Sequence, residues 1–469
     1  MSKRYDVVVI GSGPGGYRAA IMGALRGLAV AIVERGQWGG CCLNRGCVPK
    51  KDWYHSARLI AGDADLRARG IDGRLRGDLA RAWSHQRGVV ERVRASYVDY
   101  MRRLKITVVE GHGRLDGPNR VRILRDGALA DTLDARHVIL ATGAAPVWPQ
   151  ELTPVRDRIL TTDMLFDHPP PPGARVAIVG SGVVATELAF ILKLLGKEVT
   201  WLARSRPLHR ISFTPHAVST LMRQCERHGV HVRDARIARA RVDDAGVMLH
   251  LEDGALVETD WALLGTGRRP YTDSLGLESA GITTNADGFV ERNARLQTAA
   301  PNVYAIGDCA SPRMTSNHAL ADGTVAVHNI LTGNTREQDE QWIPMVVYSA
   351  VELARIGMDD ESAEDAGLEP AIGFAAFDTS PAALGEEDTA GFVRLIGDMD
   401  SGALVGGEIV GGEAGELIHL LSLAPDRDTA LRWLARGTYN HPARAEELLN
   451  ATETMAHKWN LRDEIFGET

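Results

Sequence analysis

Asp6-Val7-Val8-Val9-Ile10-Gly11-Ser12-Gly13-Pro14-Gly15-Gly16 decides how this chain begins to fold. A β-branched apolar run ends in a glycine turn, and residues 17–26 then read as a helix. A second apolar run, residues 28–33, stops at Glu34. Strand, glycine turn, helix, strand and acid, in that order, make a dinucleotide-binding unit. Each glycine has a mechanical task. Gly11 permits the tight turn, Gly13 lets a pyrophosphate reach the helix N-terminus, and Gly16 lets helix and strand pack closely. Glu34 is placed to accept from ribose hydroxyls.

The same pattern returns further along. Residues 175–179 form a strand, Gly180-Ser181-Gly182 opens a helix that carries Glu187, and residues 198–202 form the next strand. Two such units in one chain imply two dinucleotides and an α/β architecture. The second unit has no acid at Ala203 and continues Arg204-Ser205-Arg206, with Arg210 beyond. Arginines there suit a 2′-phosphate, where a carboxylate would suit a free 2′-hydroxyl. The plainer alternative is a set of solvated surface arginines. Residues 138–141 close on Thr142-Gly143, and residues 262–264 run into Gly265-Thr266-Gly267 in the same way, as paired exits between domains. The proline-rich residues 168–173 read as a rigid connector. Residues 301–309 are a strand ending in Gly307-Asp308-Cys309, whose aspartate suits a ribityl hydroxyl but alone would be an ordinary turn residue.

Between the first strand pair and a long helical segment at 78–103 stands Gly39-Gly40-Cys41-Cys42-Leu43-Asn44-Arg45-Gly46-Cys47-Val48-Pro49-Lys50-Lys51. With a helix starting near Cys47, the spacing brings the sulfurs of Cys42 and Cys47 within bonding reach. Helix-start amides and Lys50/Lys51 favour a thiolate there. Taken alone, two such cysteines would be a structural disulfide or unpaired core thiols. Their position just after a dinucleotide fingerprint favours redox chemistry.

The 469 residues exceed one ordinary domain, and 44% hydrophobic with 24% charged residues is normal for a globular chain. A net charge of -8 and the lack of a basic run argue against nucleic acid. Five cysteines, unevenly placed, do not make a secreted disulfide framework. No apolar run is long enough to span a membrane, and the residues before Tyr5 leave no room for a signal peptide, so a cytoplasmic protein without a metal site is expected. From residue 341 the character changes to short strands at 345–351, 373–377, 391–396 and 402–409, with helices at 414–424 and 429–434. This is an α+β domain, and it ends in Tyr439-Asn440-His441-Pro442-Ala443-Arg444-Ala445-Glu446-Glu447 before a last helix.

Taken together, residues 11–16 with Glu34, residues 39–51, residues 180–187, Gly307-Asp308 and His441-Pro442 with Glu446 resemble the disulfide-reducing flavoenzymes of the dihydrolipoamide dehydrogenase and glutathione reductase family. The resemblance covers essentially the whole chain. It implies two Rossmann-type domains, for FAD and NAD(P), and a C-terminal α+β dimerisation domain. The FAD domain would occupy residues 1–148 and return at 270–341, the NAD(P) domain 149–269, and the dimerisation domain 342–469. Gly11, Gly13, Gly16, Glu34, Gly40, Thr142, Gly143, Gly307 and Asp308 would then bind cofactor, as would Gly180, Gly182, Arg204, Arg210 and Gly267.

The resemblance also implies the chemistry. NAD(P)H reduces the flavin, and the flavin reduces the Cys42–Cys47 disulfide. Cys47 would face the flavin, and Cys42 would exchange with substrate through a mixed disulfide. His441 would act across a homodimer interface as acid–base catalyst, oriented by Glu446, while Lys50 or Lys51 pairs with Glu187 near the flavin. Coenzyme contacts resemble glutathione reductase and favour NADP(H). Substrate contacts resemble dihydrolipoamide dehydrogenase, with Pro14 in the first turn and Thr324 where a glutathione-carboxylate arginine is expected. A small-molecule or protein-bound lipoyl disulfide is therefore the expected substrate, with glutathione or another low-molecular-weight thiol disulfide the alternative. Three departures stand out: Ala443 where threonine is usual, Cys41 beside Cys42, and Arg45 between the redox cysteines.

Overall fold

The computed structural model describes residues 3–64, 66, 69–152, 155 and 157–467, so Met1 and Ser2 lie outside it. The chain divides into two compact units, each assembled from three separate segments.

The first unit contains residues 1–53, 80–172 and 266–340. Its sheet runs Thr107–Glu110, Val30–Glu34, Lys3–Ile10, Ala128–Leu140, Arg120–Arg125, His112–Leu115, and Val303–Ala305 also pairs with Ala128–Leu140. Lys3–Ile10 lies parallel to both neighbours, with Val8 opposite Ala31 on one side and Val138 on the other. Val7, Val8 and Val9 are at most 1% exposed, as β-branched residues covered on both faces of a parallel sheet should be. One face packs Val8, Ile10, Val121 and Leu140, and the other packs Val7, Val9, Ile139 and Tyr304. Gly16 lies so close to the turn that a Cβ would sit 1.9 Å from the Gly11 carbonyl oxygen. That contact explains why helix Pro14–Leu25 needs glycine in its first turn.

The second unit contains residues 54–79, 173–265 and 341–469. It repeats the parallel order Val232–Asp234, Glu198–Ala203, Arg175–Val179, Trp261–Leu264. Helix Val183–Leu194 follows its glycine turn, and Pro215–Arg227 is capped by the Thr214 hydroxyl with proline in the first turn. The same unit holds the antiparallel sheet Met345–Tyr348, Glu352–Gly357, Leu404–Val410, Phe392–Asp398, Pro370–Ala376. Helices Ala414–Ser422, Arg427–Arg436 and Glu446–Lys458 bury Ile418, Leu421, Leu431, Leu434 and Met455 in that sheet's core. Polar ties join sheet and helices: Thr214 donates from N and Oγ1 to the Glu408 carboxylate at 2.9 and 2.5 Å, and Tyr348 N–H donates to Glu187 Oε1 at 2.8 Å.

Two readings change. The single strand expected over residues 345–351 is instead the first arm of a hairpin. Its chain turns at Ser349, whose hydroxyl donates to the Thr186 carbonyl at 3.0 Å, and returns as Glu352–Gly357. The sequence also gave no sign of the three-stranded meander Ile237–Asp243, Gly246–Leu251, Leu256–Thr259. Its first strand alternates arginines with half-buried residues, so it carries little of the apolar signal that marks a core strand.

Candidate active site

The redox stretch folds as two helices, Gly40–Arg45 and Cys47–Ala61, with the break at Gly46 (φ -133°, ψ -110°). Gly40 has φ +62°, and a Cβ on it would lie 2.7 Å from the Gly13 Cα. The redox loop therefore rests directly on the dinucleotide turn. A polar relay holds it there. Ser12 donates from its N–H and hydroxyl to Glu34 Oε2 at 2.9 and 2.6 Å, and Gly39 N–H donates to Ser12 Oγ at 3.0 Å. Glu34 Oε1 accepts from Gly36 N–H at 2.8 Å. Asn44, 1% exposed, completes the clamp. Its Nδ2 donates to the Trp38 and Gly40 carbonyls at 3.0 and 2.8 Å, and its Oδ1 accepts from Arg94 Nε and Nη2 at 3.0 and 2.6 Å.

Cys42 lies in helix Gly40–Arg45 and Cys47 opens helix Cys47–Ala61, on either side of the Gly46 break. The hydrogen bond with Cys47, followed by burial, pushes the Cys42 thiol well above its usual range. Ser316 opposes that shift, and its hydroxyl lies 3.2 Å from Cys47 Sγ, so one serine serves both sulfurs. Cys47 is exposed, whereas Cys42 is half-buried. Tyr17 packs its ring 5.0 Å from that of Tyr97, and the charges of Cys42 and Cys47 add to the burial that raises its phenol.

The two departures at Cys41 and Arg45 belong to one network. Arg45 Nε donates to Asp167 Oδ1 at 2.8 Å, with Nη1 3.8 Å from Asp163 Oδ2. Arg268 Nη1 reaches Asp163 Oδ1 at 3.4 Å and Nη2 donates to the Ala144 carbonyl at 2.6 Å. Arg45 therefore ties the redox helix to helix Thr162–Asp167 and is not a free cation for steering a partner. Burial pushes the Cys41 thiol up to about 11, with Arg268 pulling against it.

The turns fit dinucleotides. Gly13 and Gly182 both begin a helix with no side-chain cap, and a Cβ on either would meet nothing within 4 Å, leaving the first-turn amides open for a pyrophosphate. Thr142 Oγ1 donates to the Tyr271 carbonyl at 2.6 Å, and Gly143 (φ +73°) keeps the strand exit free of side-chain bulk. Asp308 is held by burial above the usual carboxyl range against the pull of Arg268. Behind it, Asp322 accepts from Gly307 N–H at 2.9 Å and pairs with Arg292 at 2.6 Å. Gly267 (φ +107°) follows Thr266, whose hydroxyl donates to the Val147 carbonyl at 2.9 Å. Gly11, Gly13, Gly16, Thr142, Gly143 and Asp308 fit FAD in the first unit.

In the second unit Gly180 (φ +142°) turns so tightly that a Cβ would lie 2.3 Å from the Gly265 carbonyl oxygen. Where Glu34 receives Ser12, the second unit pairs Ser181 Oγ with Ser205 Oγ at 2.9 Å. Arg204 and Arg210 are exposed, and neither forms an ion pair among the described residues. Glu187 is buried on helix Val183–Leu194, while Lys50 and Lys51 belong to the first unit's part of helix Cys47–Ala61.

At the C-terminal turn His441 Nδ1 lies 3.0 and 3.2 Å from the two Glu446 oxygens. Ala443 N–H donates to Glu446 Oε2 at 2.8 Å, and the His441–Pro442 bond is cis. The His441 bond, then the Ala443 amide, hold the Glu446 carboxyl below its usual range. The imidazole side chain is 71% exposed, so its Nε2 edge is presented outward.

Residues 5–323 match the family model described as pyridine nucleotide-disulphide oxidoreductase, and residues 343–452 match that family's dimerisation domain. The chain belongs to the pyridine nucleotide-disulphide oxidoreductases. It is similar to a dihydrolipoyl dehydrogenase of Thermus scotoductus, 33% identical with 97% of this chain and 98% of that one covered. It is equally similar to dihydrolipoyl dehydrogenase 3 of Pseudomonas aeruginosa, 33% identical over 96% and 98%. Among solved structures it resembles LpdA from Mycobacterium tuberculosis (TM-score 0.88, 25% identity, 96% and 99% covered). It shares its fold with the HOCl-induced flavoprotein disulfide reductase RclA from Escherichia coli (TM-score 0.83, 24% identity, 97% and 99% covered). Membership makes the chain a disulfide oxidoreductase enzyme that uses FAD and NAD(P)H. Among the described residues no helix is long and apolar enough to cross a membrane, and no metal-binding cluster forms.

Sequence reasoning missed Ser12, Asn44, Arg94, Ser316 and Asp322. Ser316 and Asp322 come from a helix some 270 positions beyond Cys47, and no local motif marks such a distance.

Proposed function

We propose that this oxidoreductase moves electrons between NADPH and a lipoyl-type dithiol through Cys42 and Cys47. The observation that carries the reading is the pair itself: Cys42 and Cys47 on adjoining helices, with Ser316 Oγ 3.2 Å from Cys47 Sγ, on a loop whose Gly40 abuts the Gly13 turn. Bound FAD would supply two-electron transfer between nicotinamide and disulfide. Residues 1–148 and 270–341 would hold it through Gly11, Gly13, Gly16, Glu34, Gly40, Thr142, Gly143, Gly307 and Asp308. Residues 149–269 would hold NADP(H), with the pyrophosphate at Gly180 and Gly182, Gly267 at the strand exit, and Arg204 and Arg210 on the 2′-phosphate. Residues 342–469 would form the homodimer.

The chain's own residues do the thiol chemistry. Cys47 lies on the cofactor side, and Cys42 attacks the substrate disulfide to form a mixed disulfide, which Cys47 resolves. The partner subunit's His441 would take the proton from the attacking thiol and return it to the leaving one, with Glu446 fixing the tautomer. Lys50 or Lys51 would pair with Glu187 beside the flavin.

A second reading rests on one observation. Arg18 Nε donates to Thr324 Oγ1 at 3.2 Å, so a cation does stand at the position that lacks the glutathione-carboxylate arginine. Parallel turnover of the purified flavoprotein with lipoamide and with glutathione disulfide decides between them. Fast lipoamide turnover supports the lipoyl reading, and preference for glutathione disulfide overturns it. Arg204→Ala with Arg210→Ala should raise the KM for NADPH about tenfold or more and leave that for NADH unchanged. Equal effects on both coenzymes would contradict the 2′-phosphate assignment.

A further inference from the structure

Arg444 stands inside the turn that carries His441 and Glu446, yet its side chain points the other way. The His441 side chain is 71% exposed and that of Arg444 only 4%. Arg444 Nε and Nη2 both donate to Glu386 Oε2, at 2.9 and 2.8 Å. Nη2 also reaches the Asp388 carbonyl at 2.9 Å and Asp388 Oδ2 at 3.0 Å. The guanidinium carbon lies 5.1 Å from the centre of the Phe377 ring. Gly412 makes room for the assembly, since a Cβ there would fall 2.3 Å from Asp388 Oδ2 and 3.0 Å from Arg444 Cζ.

This is an expensive arrangement. Nη1 is buried with no hydrogen-bond partner, and an under-satisfied buried cation is poor stabilisation compared with an apolar side chain of the same size. Its value lies in geometry. A planar, multidentate fork fixes direction as well as distance. The turn needs such a tie, because Ala443 has no hydroxyl with which to brace it. The hydrogen bonds from His441 and Ala443 to Glu446 set the imidazole relative to the start of helix Glu446–Lys458, and nothing in them ties the turn to the segment at 377–388.

We infer that Arg444 is a positioning residue for the acid–base pair, an internal anchor that clamps the His441–Glu446 turn to Glu386 and Asp388. The inference rests on the proposed role of His441. It deepens that role by naming what holds the imidazole in place.

The test uses the FAD-loaded dimer and separates the two half-reactions. Arg444→Met keeps length and bulk but removes the fork. NADPH-driven flavin bleaching should proceed at the wild-type rate per bound flavin. Turnover with lipoamide should lose about tenfold in kcat with little change in KM, and the shape of its pH profile should change. Arg444→Lys, which holds one carboxylate but cannot span both, should recover part of the loss. A wild-type kcat and pH profile per flavin in Arg444→Met would overturn the inference, even if the variant melts earlier. If Arg444→Met fails to fold, Glu386→Gln combined with Asp388→Asn poses the same question on half-exposed residues, with the same two outcomes. His441→Gln separates the failures. Full turnover in it removes the acid–base reading and this inference with it, while slow turnover beside a normal Arg444→Met defeats this inference alone.

Discussion

The hydroxyl of Ser316 lies 3.2 Å from Cys47 Sγ and lowers the Cys42 thiol against the Cys47 hydrogen bond and burial. A donor to a thiolate favours the charged form, so Ser316→Ala should push the Cys42 thiol higher still. In the NADPH-reduced enzyme, the pH at which iodoacetamide begins to alkylate Cys42 should move upward, and lipoamide turnover at pH 7 should fall about three- to tenfold. An unchanged alkylation profile would mean the hydroxyl is a bystander. Cys41 behaves differently. Its thiol, pushed up to about 11 by burial, stays protonated and inert at neutral pH beside a pair that must react. The sign follows from linkage: the folded state holds this proton more tightly than the unfolded chain, so the associated stability is intact below the unfolded value near 8.5 and is lost as pH rises towards 11. Cys41→Ser should therefore flatten the alkaline fall in melting temperature between roughly pH 8.5 and 10 while leaving turnover at pH 7 within about twofold.

At the scale of the elements, the redox helix Gly40–Arg45 is only six residues long, so its position depends on what surrounds it. Gly40 is the tightest of these constraints. Its backbone is left-handed at φ +62°, and a Cβ would meet the Gly13 backbone at 2.7 Å, which no side-chain rotation can relieve. Gly40→Ala should destabilise the holoenzyme by roughly 1–3 kcal/mol and loosen FAD, measured as a lower melting temperature and faster flavin release on dilution. Asn44 could be seen in the sequence only as a residue between two cysteines. The structure makes it a buried clamp on the loop, because Arg94 from helix Leu79–Arg103 arrives to satisfy its carbonyl. Arg45 changes meaning in the same way, from a cation between the cysteines to the partner of Asp167.

At the scale of the whole molecule, each unit gathers segments far apart in the chain, and the second places a glycine-turn sheet and the antiparallel sheet in one body. Met455 lies at the centre of the latter's core, 0% exposed, with its Sδ 2.9 Å from where a Cβ on Gly397 would stand. Met455→Ala should cost about 2–5 kcal/mol, read from denaturant unfolding, because Gly373 and Gly397 beside it have no side chains to fill the cavity. Assembly is testable separately. If the partner's His441 serves each Cys42–Cys47 pair, inactive Cys42→Ser and His441→Gln homodimers exchanged in equal amounts should recover about a quarter of wild-type activity, since half the dimers are mixed and each has one intact site. No recovery after demonstrated exchange would place the histidine and sulfurs of a working site in the same subunit.

The local code was legible wherever chemistry demands neighbouring residues. Both glycine turns, the cysteine pair with its flanking glycines and the His441-Pro442 turn with Glu446 can be read from a few consecutive positions. Backbone torsion and helix termini impose those residue types regardless of what lies elsewhere in the chain. Even the missing acid at Ala203 was readable, because the end of the second strand is fixed by the turn before it. Tertiary structure decided what depends on convergence. It brought Ser316 to the sulfurs, seated Asp322 behind Gly307, turned Arg444 inward onto Glu386 while His441 faced out, and cut the 345–351 run into a hairpin. In these cases the partners are a few polar atoms on other segments of the chain. One hydrogen bond leaves no periodicity in a sequence, since its meaning is set by the packing of apolar cores that bring the two segments together.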